Sequence, residues 1–282
     1  KGSFKERWSD PETQLTPGGF IGAGIGSAAA GLKPIVELMS ISFSLVGFDQ
    51  IVNMAANIRY MSGGQINVPM VIRAPTGAGM QLGATHSQSF ETWLCEVPGL
   101  KVVAPSNPKD ALGLLRSSIK DPNPVIFAES AGLYGTKGEV PEEYFDIEIG
   151  KADIKQEGTD ITLISYGHGM PMINKVSEEL SKKNVSSEII DLRSLSPIDY
   201  DLINKSVQKT GRALLLDTAR KNGGVMAEVA TNINEDSGDY LDGPILRVGS
   251  EDVPWPYNRK LEQHAMSSVP KIMNKIEQGY SL

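Results

Sequence analysis

Residues 161–191 read ITLISYGHGMPMINKVSEELSKKNVSSEIID and decide the fold class of the chain. Two short, continuous apolar segments, Ile161–Ser165 and Ser187–Asp191, are typical of strands in a sheet that is covered on both faces. The residues between them have helical spacing, with apolar side chains on one face at Ile173, Val176 and Leu180. Met172–Lys183 is therefore predicted to be an amphipathic helix that ends in a lysine pair. A strand, a helix and a second strand in this order predict a unit with parallel strands.

The same alternation continues on both sides of this unit. Four further apolar segments are predicted to be buried strands: Val68–Ile72, Lys101–Ala104, Val125–Ala128 and Ala213–Asp217. Another helix is predicted over Pro108–Lys120, and Asn107 is the residue expected to cap its amino terminus. The chain is therefore predicted to have an α/β fold built on parallel sheets.

One segment interrupts the alternation. Residues 132–158 combine several glycines with a cluster of acidic side chains, and the strand–helix rhythm restarts after them. We predict a first domain over residues 1–133, a connection over 134–155 and a second domain over 156–282.

Composition narrows the function classes. The chain has 282 residues, of which 40% are hydrophobic, so it can bury a sizeable core. Its 27 basic and 34 acidic residues give a net charge of −7 without a basic run, which argues against a nucleic-acid partner.

The single cysteine, Cys95, excludes a disulfide framework and a multi-cysteine zinc site and is expected to be a small buried hydrophobe. The mostly apolar stretch Gly19–Leu32 is too short to span a bilayer, and Lys1–Ser9 lacks the apolar core of a signal peptide. We expect a soluble intracellular protein with no membrane partner.

Two glycine-rich segments are candidates for function. Phe20–Gly31 (FIGAGIGSAAAG) meets only a loose form of the dinucleotide fingerprint, so a helix that packs closely through its small residues is favoured over a phosphate-binding loop. His86 follows the glycines of Thr76–Gly79 in the run GATHSQS, where hydroxyl and amide side chains can orient an imidazole. The alternative for His86 is an ordinary surface histidine. His168 and His264 are expected in a turn and a polar helix without function, because the spacing of the three histidines fits no metal-binding motif.

The run Asp121–Pro124 (DPNP) is predicted to be a turn that ends the preceding helix. Such a turn can also direct backbone carbonyls at a monovalent cation, and the residues alone leave both interpretations open.

Several long stretches, taken together, resemble one family. Pro34–Gly64 reads PIVELMSISFSLVGFDQIVNMAANIRYMSGG and is followed by VPMVIRAPTGAG, HSQSFETWL and VPGLKVVAPSNPKDALGLLRSSIKDPNPVIF. The second half adds DITLISYG, IIDLRSLSPID, NGGVMAEVA and VGSEDVPWPY. In order and spacing these stretches resemble the beta subunits of thiamine-diphosphate-dependent 2-oxo acid dehydrogenases. Those subunits belong to the decarboxylating components of pyruvate, branched-chain and acetoin complexes.

The resemblance implies a transketolase-like fold, in which a pyrimidine-binding α/β domain precedes a smaller C-terminal α/β domain. It also implies an α2β2 heterotetramer whose alpha subunit holds the diphosphate and Mg²⁺ of the cofactor, and a lipoyl acyltransferase as a further partner. The sequence has no GDG…N motif of the kind that the alpha subunits use for this purpose. Pyruvate is the default substrate, with branched-chain 2-oxo acids and acetoin as alternatives. The expected location is the cytoplasm of a bacterium or archaeon, or the matrix of a eukaryotic organelle.

The same resemblance assigns roles to individual residues. Met39 and Phe43 would line the aminopyrimidine pocket of thiamine diphosphate, and His86 would support acyl transfer to the lipoyl group. Val46 stands where many relatives have glutamine. The positions whose main-chain carbonyls bind K⁺ in relatives are matched by Met70, Ser118, Asp121 and Asn123.

The sequence departs from the family at one important place. Relatives read T-P-I-x-E-x-x-F, and the glutamate of that motif activates the cofactor through the aminopyrimidine ring. Here Thr16 and Pro17 are followed directly by Gly18, so the three residues that include the glutamate are absent. We favour the interpretation that the natural protein has these residues and this sequence omits them. The alternative is a catalytically inactive scaffold subunit. Another thiamine enzyme, such as a transketolase or a deoxyxylulose-phosphate synthase, is disfavoured because this chain has no diphosphate-binding motif.

Overall fold

The computed structural model describes residues 16–280 of the chain. Within this range the first sheet has five strands. In spatial order they are β1 (Ile35–Glu37), β2 (Val71–Thr76), β4 (Val125–Ser130), β3 (Lys101–Val103) and β8 (Ser194–Ser196). The first four run parallel, and β8 runs antiparallel to β3.

The second sheet also has five strands. Their spatial order is β10 (Leu246–Ser250), β9 (Ala213–Arg220), β6 (Ile161–Ser165), β7 (Ser187–Asp191) and β5 (Asp153–Gln156). Four are parallel, and the edge strand β5 is antiparallel to β7. The predicted α/β fold with parallel sheets is therefore confirmed, with one antiparallel edge strand in each sheet.

Helices connect the strands and cover the sheets. Those in the first part of the chain are α1 (Pro17–Ala29), α2 (Ile58–Met61), α3 (Glu91–Cys95) and α4 (Pro108–Lys120). Those in the second part are α5 (Met170–Ser181), α6 (Tyr200–Thr210), α7 (Val225–Ser237), α8 (Arg259–Ala265) and α9 (Val269–Tyr280). A 3₁₀ helix over Ile41–Gly47 and a π-helical turn over Gln50–Ala55 join β1 to α2. No helix within residues 16–280 is long and apolar enough to cross a membrane.

Where the sequence pattern is strongest, the predicted bounds of the elements agree with the structure to the residue. The strands β6 and β7 have the predicted bounds, and so does α4, whose cap is Asn107. The Asn107 Oδ1 atom accepts a hydrogen bond from the Asp110 backbone N–H at 2.9 Å, as the sequence predicts.

Other predicted bounds were wrong for identifiable reasons. The strand predicted over Val68–Ile72 begins only at Val71, because Pro69 has no N–H to donate to a sheet ladder. The helix predicted over Met172–Lys183 begins at Met170, since Pro171 fits the first turn of a helix, and it ends at Ser181 before the lysine pair. The short or edge strands β1, β5, β8 and β10 were not predicted from the sequence.

The glycine-rich segment is a helix, α1, as favoured from the sequence. A Cβ atom on Gly24 would lie 2.7 Å from Val36 Cγ2 and 3.2 Å from Met70 Cε. The small residues therefore allow α1 to pack closely on the first sheet.

The two sheets share a hydrophobic core. One continuous cluster of buried side chains includes Ile126 of β4 as well as Ile190 of β7 and Leu215 of β9. An ion cluster supports the same junction: Lys155 of β5 bonds Asp110 of α4 at 2.8 Å. The division of the chain at residues 134–155 stays a prediction.

Candidate functional site

The candidate site begins where β1 leads into the 3₁₀ helix. Ser40 caps this helix, because its Oγ accepts a hydrogen bond from the Ser42 backbone N–H at 3.2 Å. The Phe43 N–H donates to the Ser40 carbonyl at 3.0 Å. The short helix therefore fixes Phe43, whose ring is half-buried.

The structure brings Phe43 and His86 together. Their ring centroids lie 5.2 Å apart with an interplanar angle of 89°, an edge-to-face arrangement. His86 is exposed, and its Nδ1 atom lies 2.8 Å from the Thr85 hydroxyl oxygen. Because Thr85 occupies Nδ1, Nε2 is the ring nitrogen left to exchange a proton with a bound molecule.

Residues 83–90, here called the His86 segment, are held against the 3₁₀ helix at two further points. The Ser40 hydroxyl donates to the His86 carbonyl at 3.4 Å, and the Gln88 N–H donates to the Ser42 hydroxyl oxygen at 3.4 Å. The position of the histidine thus depends on backbone contacts as well as on its ring.

The glycine-rich loop before the His86 segment is anchored in the other half of the chain. The N–H groups of Gly79 and Gln81 each donate to the Glu262 carboxylate of α8 at 3.1 Å. Gly79 has a φ of 110°, a left-handed conformation that glycine adopts at little cost. Glu262 is buried, so its carboxylate ties the loop to the interior.

A buried acid lies beneath the His86 segment. Glu91 is fully buried at the start of α3 and accepts a short hydrogen bond from the Thr76 hydroxyl. Its second oxygen has no hydrogen-bond partner in the described part of the chain. Burial raises the pKa of Glu91 to about 7, and the hydrogen bond from Thr76 opposes that shift. Sequence reasoning missed Glu91, because its residue type does not reveal that it is buried.

Several apolar side chains close to Phe43 or His86 in the sequence are exposed. Met39 lies between β1 and the 3₁₀ helix and is 56% exposed, and Val46 is 67% exposed. Leu45, Met80 and Leu82 are exposed as well. Phe43 and Met39 offer the aromatic and thioether surfaces that suit a planar heteroaromatic ring.

The first turn of α1 lies beside the same 3₁₀ helix. A Cβ atom on Gly47 would lie 3.4 Å from the Gly18 nitrogen and 3.4 Å from the Pro17 carbonyl carbon. This turn carries no acidic side chain. The place where the sequence departs from the family therefore lies beside the carboxyl-terminal end of the helix that carries Phe43.

The four residues matched to a cation site gather around one turn. Asp121 Oδ1 accepts hydrogen bonds from the Asn123 N–H at 2.9 Å and from the Asn123 side-chain amide at 3.0 Å. The Met70 carbonyl lies at the end of the turn, where it accepts from the Val125 N–H at 2.9 Å. Ser118 stands in the last turn of α4, and the residue four positions on is Pro122, which has no N–H to offer its carbonyl.

The remaining sequence candidates lie outside the Phe43–His86 contact. His168 lies in a 3₁₀ turn, and burial lowers its pKa, while His264 is exposed on α8. Cys95 packs against the core but is only partly buried, rather than buried as predicted, and burial raises the pKa of its thiol. Within residues 16–280, no group of three or more His, Cys, Asp or Glu side chains is arranged to hold a metal ion.

Comparison with known proteins places these features in a family. A model of the transketolase pyrimidine-binding domain matches residues 12–137, and a model of the transketolase C-terminal domain matches residues 150–272. A solved structure described as a split gene transketolase, an inactive beta4 tetramer, superposes with a TM-score of 0.75 at 20% identity. It covers 94% of this chain and 82% of its own, and it supports the transketolase-like fold.

Curated relatives agree with this assignment. The chain is 44% identical over 266 residues to subunit beta-1 of the mitochondrial pyruvate dehydrogenase E1 component of Arabidopsis thaliana, which covers 93% of this chain and 73% of the relative. It is 44% identical over 267 residues to the pyruvate dehydrogenase E1 component subunit beta of Rhizobium meliloti, covering 94% of this chain and 58% of the relative. The Saccharomyces cerevisiae mitochondrial counterpart is 43% identical over 276 residues, or 96% of this chain and 75% of the relative. The chain therefore belongs to the family of 2-oxo acid dehydrogenase beta subunits that consist of a transketolase pyrimidine-binding domain followed by a transketolase C-terminal domain.

Proposed function

We propose that this chain is the beta subunit of an α2β2 dehydrogenase that decarboxylates pyruvate and passes the acyl group to a lipoyl acyltransferase. The observation that carries the proposal is the contact between Phe43 and the exposed His86, 5.2 Å apart. A ring-binding surface and an acid–base side chain thus lie at one place on the surface. The relatives are pyruvate dehydrogenase subunits, which supports pyruvate over the branched-chain and acetoin alternatives.

The proposed cofactor is thiamine diphosphate with Mg²⁺. When bound, it supplies the electron sink that lets a 2-oxo acid lose carbon dioxide. The half-buried ring of Phe43 and the exposed thioether of Met39 fit the flat aminopyrimidine. The diphosphate and Mg²⁺ would be held by the alpha subunit, with which this chain would share the site.

We assign His86 to acyl transfer. The disulfide of an oxidised lipoyl arm would take the acyl group on one sulfur together with the two electrons from decarboxylation, and its S–S bond would break. The sulfur released as thiolate would need a proton, and a protonated imidazole is the side chain suited to donate it near neutral pH. The exposed ring can meet a lipoyl arm that arrives from solvent, with Thr85 at Nδ1 fixing its orientation. Phe43 packs against the ring and restricts its rotation.

The turn after α4 is proposed to bind K⁺ through main-chain carbonyls. Pro122 leaves the Ser118 carbonyl without its helical donor, and the Asp121 side chain already takes the Asn123 N–H. The second lone pair of the Met70 carbonyl remains available beside the turn. A K⁺ ion at this position would stabilise the end of α4.

A second candidate function is a catalytically inactive scaffold subunit. It is favoured by one observation, the acid-free first turn of α1 beside the helix of Phe43. Such a subunit would keep the interfaces with an alpha subunit and an acyltransferase but would not activate the cofactor. We further propose that the protein works in the cytoplasm of a bacterium or archaeon or in an organelle matrix.

Co-expression of the natural gene product, read across Pro17 and Gly18, with an alpha subunit from the same genome tests the proposal. If the chain is a catalytic beta subunit, we expect it to co-purify with the alpha subunit in equal amounts. The complex should then decarboxylate pyruvate in the presence of thiamine diphosphate and Mg²⁺. Activity on branched-chain 2-oxo acids or acetoin alone would assign one of the alternative substrates. Co-purification without activity on any of the three would favour the scaffold, and failure to associate would contradict the subunit assignment.

A further inference from the structure

Three residues link the end of β2 to the His86 segment and to α3: Thr76, Gln88 and Glu91. Thr76 is the last residue of β2, and its hydroxyl oxygen contacts two acceptors. One is the Glu91 carboxyl at short distance, and the other is the Gln88 backbone carbonyl at 3.5 Å. The Gln88 carbonyl also accepts the Gly77 N–H at 3.1 Å, so it joins the end of β2 to the His86 segment.

A threonine hydroxyl has a single proton and can donate to only one acceptor at a time. If Glu91 is ionised, Thr76 must donate to the carboxylate, and the Gln88 carbonyl loses that donor. If Glu91 is protonated, its own O–H can donate to Thr76, and the threonine proton is free for Gln88. The protonation state of Glu91 therefore decides whether a continuous chain of hydrogen bonds reaches the His86 segment.

We propose that Glu91 is a positioning residue whose protonated carboxyl donates to Thr76, so that Thr76 donates to the Gln88 carbonyl and holds His86 in place. The proton stays on Glu91 while the chain is intact, and no covalent bond is made or broken. The catalytic consequence rests on the proposed role of His86, whereas the hydrogen-bond chain itself does not.

The surroundings favour the protonated form of Glu91. Three ionisable groups face it, namely Asp217 of β9, Tyr166 after β6 and Cys95 on its own helix. Asp217 accepts hydrogen bonds from the Tyr166 hydroxyl at 2.7 Å and from the N–H groups of Ala219 and Met226 at 2.9 and 3.2 Å. Burial raises the pKa of Asp217 as well, but these three donors oppose that shift, whereas Glu91 has one side-chain partner and an unpartnered oxygen. The proton therefore belongs on Glu91.

Hydrogen exchange in the full-length chain tests the proposal without reference to catalysis. The quantity to measure is the protection factor of the Gly77 and Gln88 amides between pH 5.5 and 8.5, after correction for the pH dependence of intrinsic exchange. In the wild type we expect protection to fall about five- to tenfold as Glu91 ionises, the change that one lost hydrogen bond produces. Glu91→Gln, whose amide donates at every pH, should keep high protection throughout.

Two threonine variants check the middle of the chain of hydrogen bonds. Thr76→Val should show low protection at every pH, whereas Thr76→Ser, which retains the hydroxyl, should behave as the wild type. If Glu91→Gln does not fold, this pair still decides the question. Asp191→Asn is the matched control, because Asp191 is another buried acid, with a pKa raised to about 6, that bonds Ser106 and takes no part in this chain. In Asp191→Asn, the protection of the Gly77 and Gln88 amides should still fall near pH 7 as it does in the wild type.

Two results would overturn the proposal. One is a Glu91→Gln variant in which amide protection still falls with pH as in the wild type, and the other is a Thr76→Val variant whose protection equals that of the wild type. In the assembled enzyme, Glu91→Gln should also flatten the pH profile of acyl transfer around neutrality. If His86→Ala leaves acyl transfer unaffected, the proposed function fails, while the exchange data still decide the role of Glu91.

Discussion

The edge of one aromatic ring faces the other where Phe43 and His86 meet, at a centroid distance of 5.2 Å and an interplanar angle of 89°. Phe43 is carried by the 3₁₀ helix after β1, and His86 by the segment after β2. Two adjacent strands of one parallel sheet thus deliver a ring surface and an acid–base group to the same place.

Replacing His86 separates acyl transfer from decarboxylation. In the co-expressed enzyme, His86→Ala should reduce the overall complex reaction about 10²- to 10⁴-fold, the usual contribution of general acid–base catalysis. Decarboxylation measured with an artificial electron acceptor should change much less, because it depends on the cofactor. His264→Ala, at an exposed histidine on α8, is the control. Equal losses in both assays would mean that His86 orders the site instead.

The chain alone should bind thiamine diphosphate weakly. In the proposed site, Met39 and Phe43 would contact only the aminopyrimidine, and the diphosphate and Mg²⁺ would be held by the alpha subunit. Isothermal titration of the isolated chain should give little heat, and the alpha–beta complex should bind tightly in a Mg²⁺-dependent manner. Tight binding by the isolated chain would contradict the shared site.

Restoring the missing motif should restore cofactor activation. We predict that inserting Ile-Ala-Glu between Pro17 and Gly18 raises decarboxylation by the alpha–beta complex by orders of magnitude. The insertion would place a carboxyl near the 3₁₀ helix that carries Phe43. Ile-Ala-Gln is the matched control, because it has the same length without the charge. Equal activity with both insertions would show that helix length rather than the carboxylate matters.

The turn after α4 should respond to K⁺. The melting temperature should be higher in KCl than in the chloride of a large organic cation at equal ionic strength. Pro122→Ala returns an N–H to the Ser118 carbonyl and should reduce that difference. Asp121→Asn removes the ion pair with Lys101 and should lower the melting temperature equally in both salts. Identical melting in both salts for the wild type would argue against the ion site.

Glu91 should make stability depend on pH. Its pKa is raised from 4.5 to about 7, so the folded state holds a proton that the unfolded state has lost. The stability that this protonated carboxyl contributes to the folded state is fully present below pH 4.5 and is lost as the pH rises through 7. When the pH is raised from 5 to 8, the wild type should therefore lose about 3 kcal/mol more of its free energy of unfolding than Glu91→Gln does. Urea unfolding at the two pH values measures this, and a constant difference between the proteins would refute it.

The sequence predicted the parts of the fold that repeat a strong local pattern. Continuous apolar runs located β6 and β7, and an asparagine followed by proline located the start of α4. Edge strands escaped prediction, because β5 and β8 are short and are defined by their partners rather than by their own residues. Which of the two sheets each edge strand joins is decided by the tertiary fold and not by the residues of the strand.

The site was predictable only in part, for a similar reason. Phe43 and His86 stand in stretches that resemble a known family, and the structure places them in contact. Glu91 and Thr76 carry no local signal, since their significance comes from burial and from a shared hydroxyl proton. Such features become visible only when the loop and the strand are seen together.

The antiparallel strand β8 has a consequence for how the chain can be made. It comes from the second half of the sequence but pairs with β3 through Val102 and Ser196 and through Val103 and Ser194. During synthesis the first sheet therefore leaves the ribosome with an unpaired edge, and unpaired edges promote association between chains. We expect a truncated product that ends before Ser194 to keep the edge of β3 uncovered and therefore to associate with other chains more readily than the full chain, in which β8 covers that edge.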